Sequence, residues 1–220
     1  LNVSRSYLQS DNNVKKISNH ITKKVADKLA EIFKNNREEF EQKWDDIKLF
    51  IQYGMLSDEK FYDRAVGFAL LKNIEGKYAT FAEYKEQVKE NQTDKNGDLI
   101  VLYAQDADAS YAYIQRAKEK GYDVLLMDGE LDVHAMSQYE QKSFEAGDGG
   151  KLAVRFVRVD CDVIENIIQK EEKAKVELSA NEEDALRYTF ESQLPKTDKT
   201  RYDVSLEAVS ADALPVFLTQ

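Results

Sequence analysis

Apolar residues recur at intervals of three and four along the first helical stretch: Val14, Ile17, Ile21, Val25, Leu29, Ile32 and Phe33. That period puts them on one face of a helix. Asp11 or Asn12 is placed to cap its start, and Asn35-Asn36 to end it and cap the next helix. A second stripe, Phe40, Trp44, Ile47 and Ile51, follows the acidic first turn Glu38-Glu39, and Gly54 is expected to break that helix. A third helix starts at Ser57-Asp58-Glu59 and turns Phe61, Ala65 and either Phe68 or Ala69 inward. Three amphipathic helices with short joints predict a packed helical layer over residues 1–75.

The pattern then changes. Thr80-Phe81-Ala82-Glu83 fits a capping box, which opens a helix through Tyr84 and Val88. Continuous apolar runs at 99–103, 124–127 and 152–157 read as buried strands, separated by helices at 108–120, closed by Gly121, and at 132–144. Buried strands alternating with helices imply a short parallel sheet covered on both faces. Residues 76–159 are therefore expected to form a small three-layer α/β/α sandwich. Residues 160–220 read as the truncated start of another domain. They carry a helix with Val163, Ile164, Ile167 and Ile168, a mixed-charge run at 170–175, and a second capping box at Ser179 and Glu182. Strict alternation of Tyr202, Val204, Leu206 and Ala208 with polar residues predicts a half-buried strand, paired antiparallel with 216–218. The fold class is α/β locally and α+β overall. The chain begins at Leu1 rather than Met and stops on a strand-like run, so it reads as a piece of a longer protein.

Charge narrows the function. With 31 basic against 41 acidic side chains the net charge is −10, which argues against sequence-independent nucleic-acid binding, since phosphates require clustered Lys and Arg. No apolar run approaches the roughly 20 residues that span a membrane. The single cysteine, Cys161, excludes an internal disulfide and points to a reducing compartment, the cytoplasm.

Most motifs that might carry chemistry fail on spacing. Asp94-Lys95-Asn96-Gly97-Asp98 resembles the middle of a calcium loop, but Gln92 and Tyr103 would occupy its first and last ligand positions. It reads as a polar turn. Gly147-Asp148-Gly149-Gly150 precedes a strand and has no phosphate-loop spacing. His20 and His134 have no metal-ligand partner at helical spacing, and Cys161 reads as a small buried residue. Asp106, Asp108 and Asp128 sit where a sheet crevice would bind a small molecule, but without a nucleophile or phosphate loop they read as caps and turn residues.

One segment remains. In Leu1-Asn2-Val3-Ser4-Arg5-Ser6-Tyr7-Leu8-Gln9 the chain is expected to change from extended to helical at Ser4, which would place Arg5 and Gln9 on the same side of a first turn. Arg is permanently charged and suited to an interfacial phosphate. This run closely resembles the LN-x-SRE-x-LQ signature of the heat-shock protein 90 chaperone family, in its bacterial branch. The similarity continues through VKKISNHITKKVADKLAEIFKNN, through TFAEYKEQVKENQ and YAYIQRAKEKGYDVLLMDGELD, and to LEAVSADALPVFLTQ at the end. Ser6 stands where the family usually has Glu, and Val133 and His134 replace an acidic-aromatic pair associated with client contact.

The resemblance implies the lower part of a middle domain followed by the start of a C-terminal domain. Arg5 would reach the γ-phosphate of ATP, held with Mg2+ by a separate N-terminal ATPase domain, and Gln9 would act from the same loop. The parent chain would be an ATPase and a homodimer; this chain alone would be inactive, would bind no cofactor and would be monomeric. Its partners would be that N-terminal domain and unfolded or partly folded clients. Candidate client contacts are Trp44, Phe50, Tyr53, Met55, Tyr139 and Phe144, each of which reads individually as ordinary packing. The alternative is a non-enzymatic acidic scaffold for other proteins.

Overall fold

The computed structural model describes residues 3–4, 7–8, 12–146, 153–162, 164–168, 178–195, 202–206 and 216. Two short strands, β1 (Val3–Ser4) and β2 (Tyr7–Leu8), pair antiparallel. Helices α1 (Asn12–Asn35), α2 (Arg37–Ser57) and α3 (Glu59–Ala65) follow. Their joints are set by side-chain caps: Asn36 Oδ1 accepts the Glu39 N–H (3.3 Å) and Asp58 Oδ1 accepts the Phe61 N–H (2.9 Å). Gly54 does not end α2, which continues three residues further. A Cβ at Gly54 would stand 2.7 Å from Phe61 Cε1, so glycine is needed there for close packing of α3 on α2.

The expected single face of α1 divides. Ala26 is buried, and Leu29, Ala30, Ile32 and Phe33 pack on the core, but Ile17, Ile21 and Val25 are exposed. After α3 the chain forms a hairpin that periodicity did not reveal, β3 (Leu70–Lys72) and β4 (Tyr78–Thr80), in register from Leu70↔Thr80 to Lys72↔Tyr78. Three-residue strands are too short to show a period. Their turn is held by Asn73, whose Oδ1 accepts the Glu75 and Lys77 N–H groups, and by Gly76 at φ +78°. Phe68 and Ala69 are buried just beyond the end of α3.

Next come α4 (Phe81–Gln92), β5 (Leu99–Ala104), α5 (Tyr111–Glu119), β6 (Val124–Leu126), α6 (Asp132–Ala146) and β7 (Val154–Arg158). The three strands form a parallel sheet in the order β6-β5-β7, so the α/β/α sandwich expected from the alternating pattern is present. Side-chain alternation along β5 separates two cores. Leu99 and Val101 join Phe40, Trp44, Phe81, Tyr84 and Tyr139, whereas Ile100, Leu102 and Ala104 join Ile114 and Ala117 of α5 and Ile164 of the short α7 (Ile164–Ile167). The first core runs without interruption from Ala26 to Val154, so the helical layer and the sheet share it. Asp106 Oδ1 accepts the Asp108 and Ala109 N–H groups, and the turn it closes delays the start of α5 to Tyr111.

Helix α8 (Ala180–Gln193) forms as expected, but none of its residues is buried. Residues 202–206 take no strand assignment, in contrast to the strand expected there. Of the segment expected to pair with it, 216–218, only Val216 lies among the described residues.

Candidate functional site

Arg5 and Gln9 lie outside the described residues. Tyr7 and Leu8 between them are extended and paired with Val3 and Ser4. The helical turn expected from Ser4 is therefore absent at Tyr7 and Leu8, and the helical i, i+4 relation between Arg5 and Gln9 loses its basis.

Of the motifs set aside on spacing, the glycine run 147–150 lies outside the described residues, and the others are placed as turns and surface. Asp94 Oδ1 accepts the N–H groups of Asn96 and Asp98, and Gly97 takes φ +90°, closing a tight turn before β5. Both histidines are exposed. Cys161 is half-buried, and burial raises its thiol pKa, which disfavours the thiolate. Among the described residues, no group of three or more His, Cys, Asp or Glu side chains is arranged to hold a metal ion.

The client candidates separate by exposure. Trp44, Met55 and Tyr139 are core residues, as the ordinary-packing reading requires. Phe50, Tyr53 and Phe144 are 75%, 66% and 72% exposed. Leu49 is exposed as well, so α2 presents Leu49, Phe50 and Tyr53 to solvent, opposite its buried Phe40-Trp44-Ile51 stripe. The spacing i, i+1, i+4 keeps these three adjacent on the helix surface. Leu49 also lines a groove of about 340 Å3 between α2 and the β6–α6 turn, together with Lys48, Lys72, Leu126, Asp128 and Glu130.

Beneath that groove lies a carboxylate that sequence reading treated only as a helix start. Asp132 is 1% exposed and accepts three hydrogen bonds: from Lys48 Nζ (2.7 Å), Gln52 Nε2 (2.7 Å) and the Gly129 N–H (2.8 Å). Lys48 and Gln52 are one helical turn apart on α2, and this spacing was the available signal. Gly129 has no side chain for a reason: a Cβ there would approach Asp132 Oδ2 and Lys48 Nζ to 3.0 Å. Asp128, by contrast, is exposed and 3.9 Å from Lys48. The arrangement ties α2 to α6 and fixes the floor of the groove, with the Asp132 carboxylate bound by three donors.

A second junction joins the helical layer to α4. Arg37 donates to Glu83 through Nη1 (2.5 Å) and Nη2 (2.9 Å) and to Glu41 through Nε (2.7 Å), and lies 4.8 Å over the Phe33 ring. Glu83 also accepts the Thr80 N–H (2.8 Å), completing the capping box. Hydrogen bonding from Arg37 holds the Glu83 carboxyl down to about 2, with the Thr80 N–H helping and partial burial opposing.

Comparison with known proteins gives this geometry its context. A family profile described as Hsp90 protein matches residues 1–199. The chain is 53% identical over all 220 residues to a chaperone protein HtpG of Bacteroides fragilis and to one of Bacteroides thetaiotaomicron, and 51% identical to that of Porphyromonas gingivalis. It covers 31% of the length of each. Among solved structures, the middle domain of a Plasmodium falciparum heat shock protein superposes with a TM-score of 0.50 at 13% identity, over 69% of this chain and 60% of that one. The likeness to that structure concerns the fold; the family rests on the profile and on identity sustained across the whole chain. By those two findings the chain belongs to the Hsp90 family, as a middle-domain segment of its HtpG chaperone branch.

Proposed function

We propose that the chain is the part of an ATP-dependent chaperone that supplies an arginine to an ATP site held by another domain and presents part of the client-binding surface. Arg5 contacts the γ-phosphate of ATP bound with Mg2+ in the N-terminal domain of the parent chain, and Gln9 acts from the same loop. A permanently charged guanidinium delivered from a separate domain stabilises charge developing in the transition state only when the domains close. Hydrolysis thereby becomes conditional on closure. The chain alone binds no nucleotide and is monomeric, whereas the parent chain is a cytoplasmic homodimer. Clients meet the exposed Leu49, Phe50 and Tyr53 face of α2, where apolar rings stand free of the core.

What carries this reading is the Leu1-Asn2-Val3-Ser4-Arg5 run and its Leu8-Gln9 end, inside the matched residues 1–199, in a chain whose relatives bear the name chaperone along its full length. The test is steady-state ATP hydrolysis by the parent chain with Arg5→Ala. The expected result is a loss in kcat of about a hundredfold, with nucleotide affinity nearly unchanged, because only transition-state stabilisation is removed. Unchanged turnover in a folded variant would overturn the assignment and leave the acidic-scaffold reading in its place.

A further inference from the structure

The chain exposes apolar side chains beside two opposite kinds of charge. On α1, Ile17, Ile21 and Val25 are exposed in a stretch that carries Lys16, Lys23 and Lys24 and no acidic residue from Asn12 to Ala26. On α2, Leu49, Phe50 and Tyr53 are exposed one turn beyond Asp45, and Asp128 and Glu130 line the groove that Leu49 borders. The charges of that groove do not balance. Lys48 Nζ is held by the buried Asp132 at 2.7 Å and stands 3.9 Å from Asp128, while Lys72 Nζ is held by Asp45 at 2.7 Å. Each lysine of the groove is thus matched by a carboxylate. Asp128, its side chain 60% exposed, and the exposed Glu130 are in excess.

Excess negative charge favours a ligand that brings Lys or Arg, and the net charge of −10 steers such a ligand towards the chain. Leu49 and Leu126 line the groove, and Phe50 and Tyr53 stand next to Leu49, so apolar side chains find contact at the same place. A volume of about 340 Å3 has room for a few side chains of an extended segment and none for a folded domain. The exposed stretch of α1 has the opposite surroundings and would repel the same ligand.

We infer that the groove between α2 and the β6–α6 turn binds extended client segments in which a large apolar residue is flanked by Lys or Arg, an inference that rests on the client reading of the α2 face. Fluorescence anisotropy of short labelled peptides with the 220-residue chain tests it. Three peptides of equal length are compared: Leu and Phe flanked by Lys and Arg, the same with Glu for every Lys and Arg, and the first with Ser for Leu and Phe. The first should bind, and the other two about tenfold more weakly. Its affinity should fall as salt rises. Asp128→Asn combined with Glu130→Gln should weaken the first peptide about fivefold, the size expected for two exposed ion pairs, and remove most of its salt dependence. Leu49→Ser combined with Phe50→Ser should weaken it at least as much, and Ile21→Ser on α1 should leave it unchanged. An acidic peptide that binds as tightly as the basic one would overturn the charge preference, while the client face would stand if Leu49→Ser with Phe50→Ser weakened both. If that double variant changed the binding of no peptide, the client reading of α2 would fall and this inference with it. Equal weakening by Ile21→Ser would also overturn the inference, because binding would then follow exposed apolar surface wherever it lies. The comparison of the three peptides on the wild type needs no substitution, so it decides even where a variant unfolds.

Discussion

Helices α4 and α8 open on the same kind of sequence signal, Thr80 with Glu83 and Ser179 with Glu182, and in both the glutamate reaches back to the N-cap. Glu83 accepts the Thr80 N–H at 2.8 Å, and Glu182 accepts the Ser179 N–H at 2.9 Å. Beyond that first turn they part. Thr80 is buried, Glu83 is shared with Arg37 from the helical layer, and Phe81, Tyr84 and Val88 enter the core. Ser179 is exposed, its hydroxyl donates to Glu182 (2.6 Å), and α8 buries no residue. The same local chemistry thus marks where each helix starts, while tertiary contact decides what that chemistry is worth. Removing contacts in the body should unfold the whole, and removing them in α8 should fray one helix.

The largest effect is expected where the body buries a carboxylate, at Asp132. Asp132→Ala would strand Lys48, Gln52 and the Gly129 N–H around an empty acceptor position. Breaking a buried ion pair from one side costs roughly 3 kcal/mol. Urea denaturation should show a lower midpoint with an unchanged slope. Pairing the change with Lys48→Met should recover part of the loss, because the uncompensated ammonium is then gone. If Asp132→Ala alone left the midpoint in place, α2 and α6 would be held by apolar packing, and the body would resemble α8 more than the comparison allows.

How much could be read beforehand follows the same division. Strands 99–103 and 124–127 announced themselves as unbroken apolar runs, and Thr80-x-x-Glu83 fixed the start of α4 because capping depends on four adjacent residues. The β3–β4 hairpin stayed hidden because its strands are too short to carry a period and its turn glycine, Gly76, arrives without a flanking alternation. Gly54 was misplaced as a helix end because its reason, the Phe61 ring at 2.7 Å from a would-be Cβ, lies in another helix. At Asp132 only the one-turn spacing of Lys48 and Gln52 hinted at a junction, since those partners are 84 and 80 residues away from it. Arg5 and Gln9 came from a resemblance rather than from periodicity. The helical turn expected around them fails at Tyr7 and Leu8, where antiparallel pairing with Val3 and Ser4 prevails.

A smaller effect, and one with a pH signature, is expected at Glu83. Its folded carboxyl is held down to about 2, below the ordinary 4.5. Between those values the unfolded chain binds the proton and the folded chain does not, so stability is full above about pH 5 and falls as pH drops towards 2. The group is partly open to solvent, which limits the contribution to about 1 kcal/mol. Glu83→Gln should lower the melting temperature near neutral pH and flatten the slope of stability between pH 5 and 2. An unaltered slope would mean that the acid sensitivity belongs to other carboxylates and that the Arg37 junction contributes little.

The smallest effect sharpens the contrast most directly. Ser179→Ala removes the hydroxyl that donates to Glu182, and both residues are exposed. Circular dichroism should register a small loss of helix, and amide exchange should rise through the first turn of α8 without changing at β5. The melting temperature of the body should not move. Thr80→Ala, the matching change at α4, should lower that temperature, because Thr80 is buried and Glu83 would lose one of the contacts that hold it towards Arg37. A shared shift in both variants would mean that α8 is packed on the body in solution, and that its start is as firmly coupled to the core as that of α4.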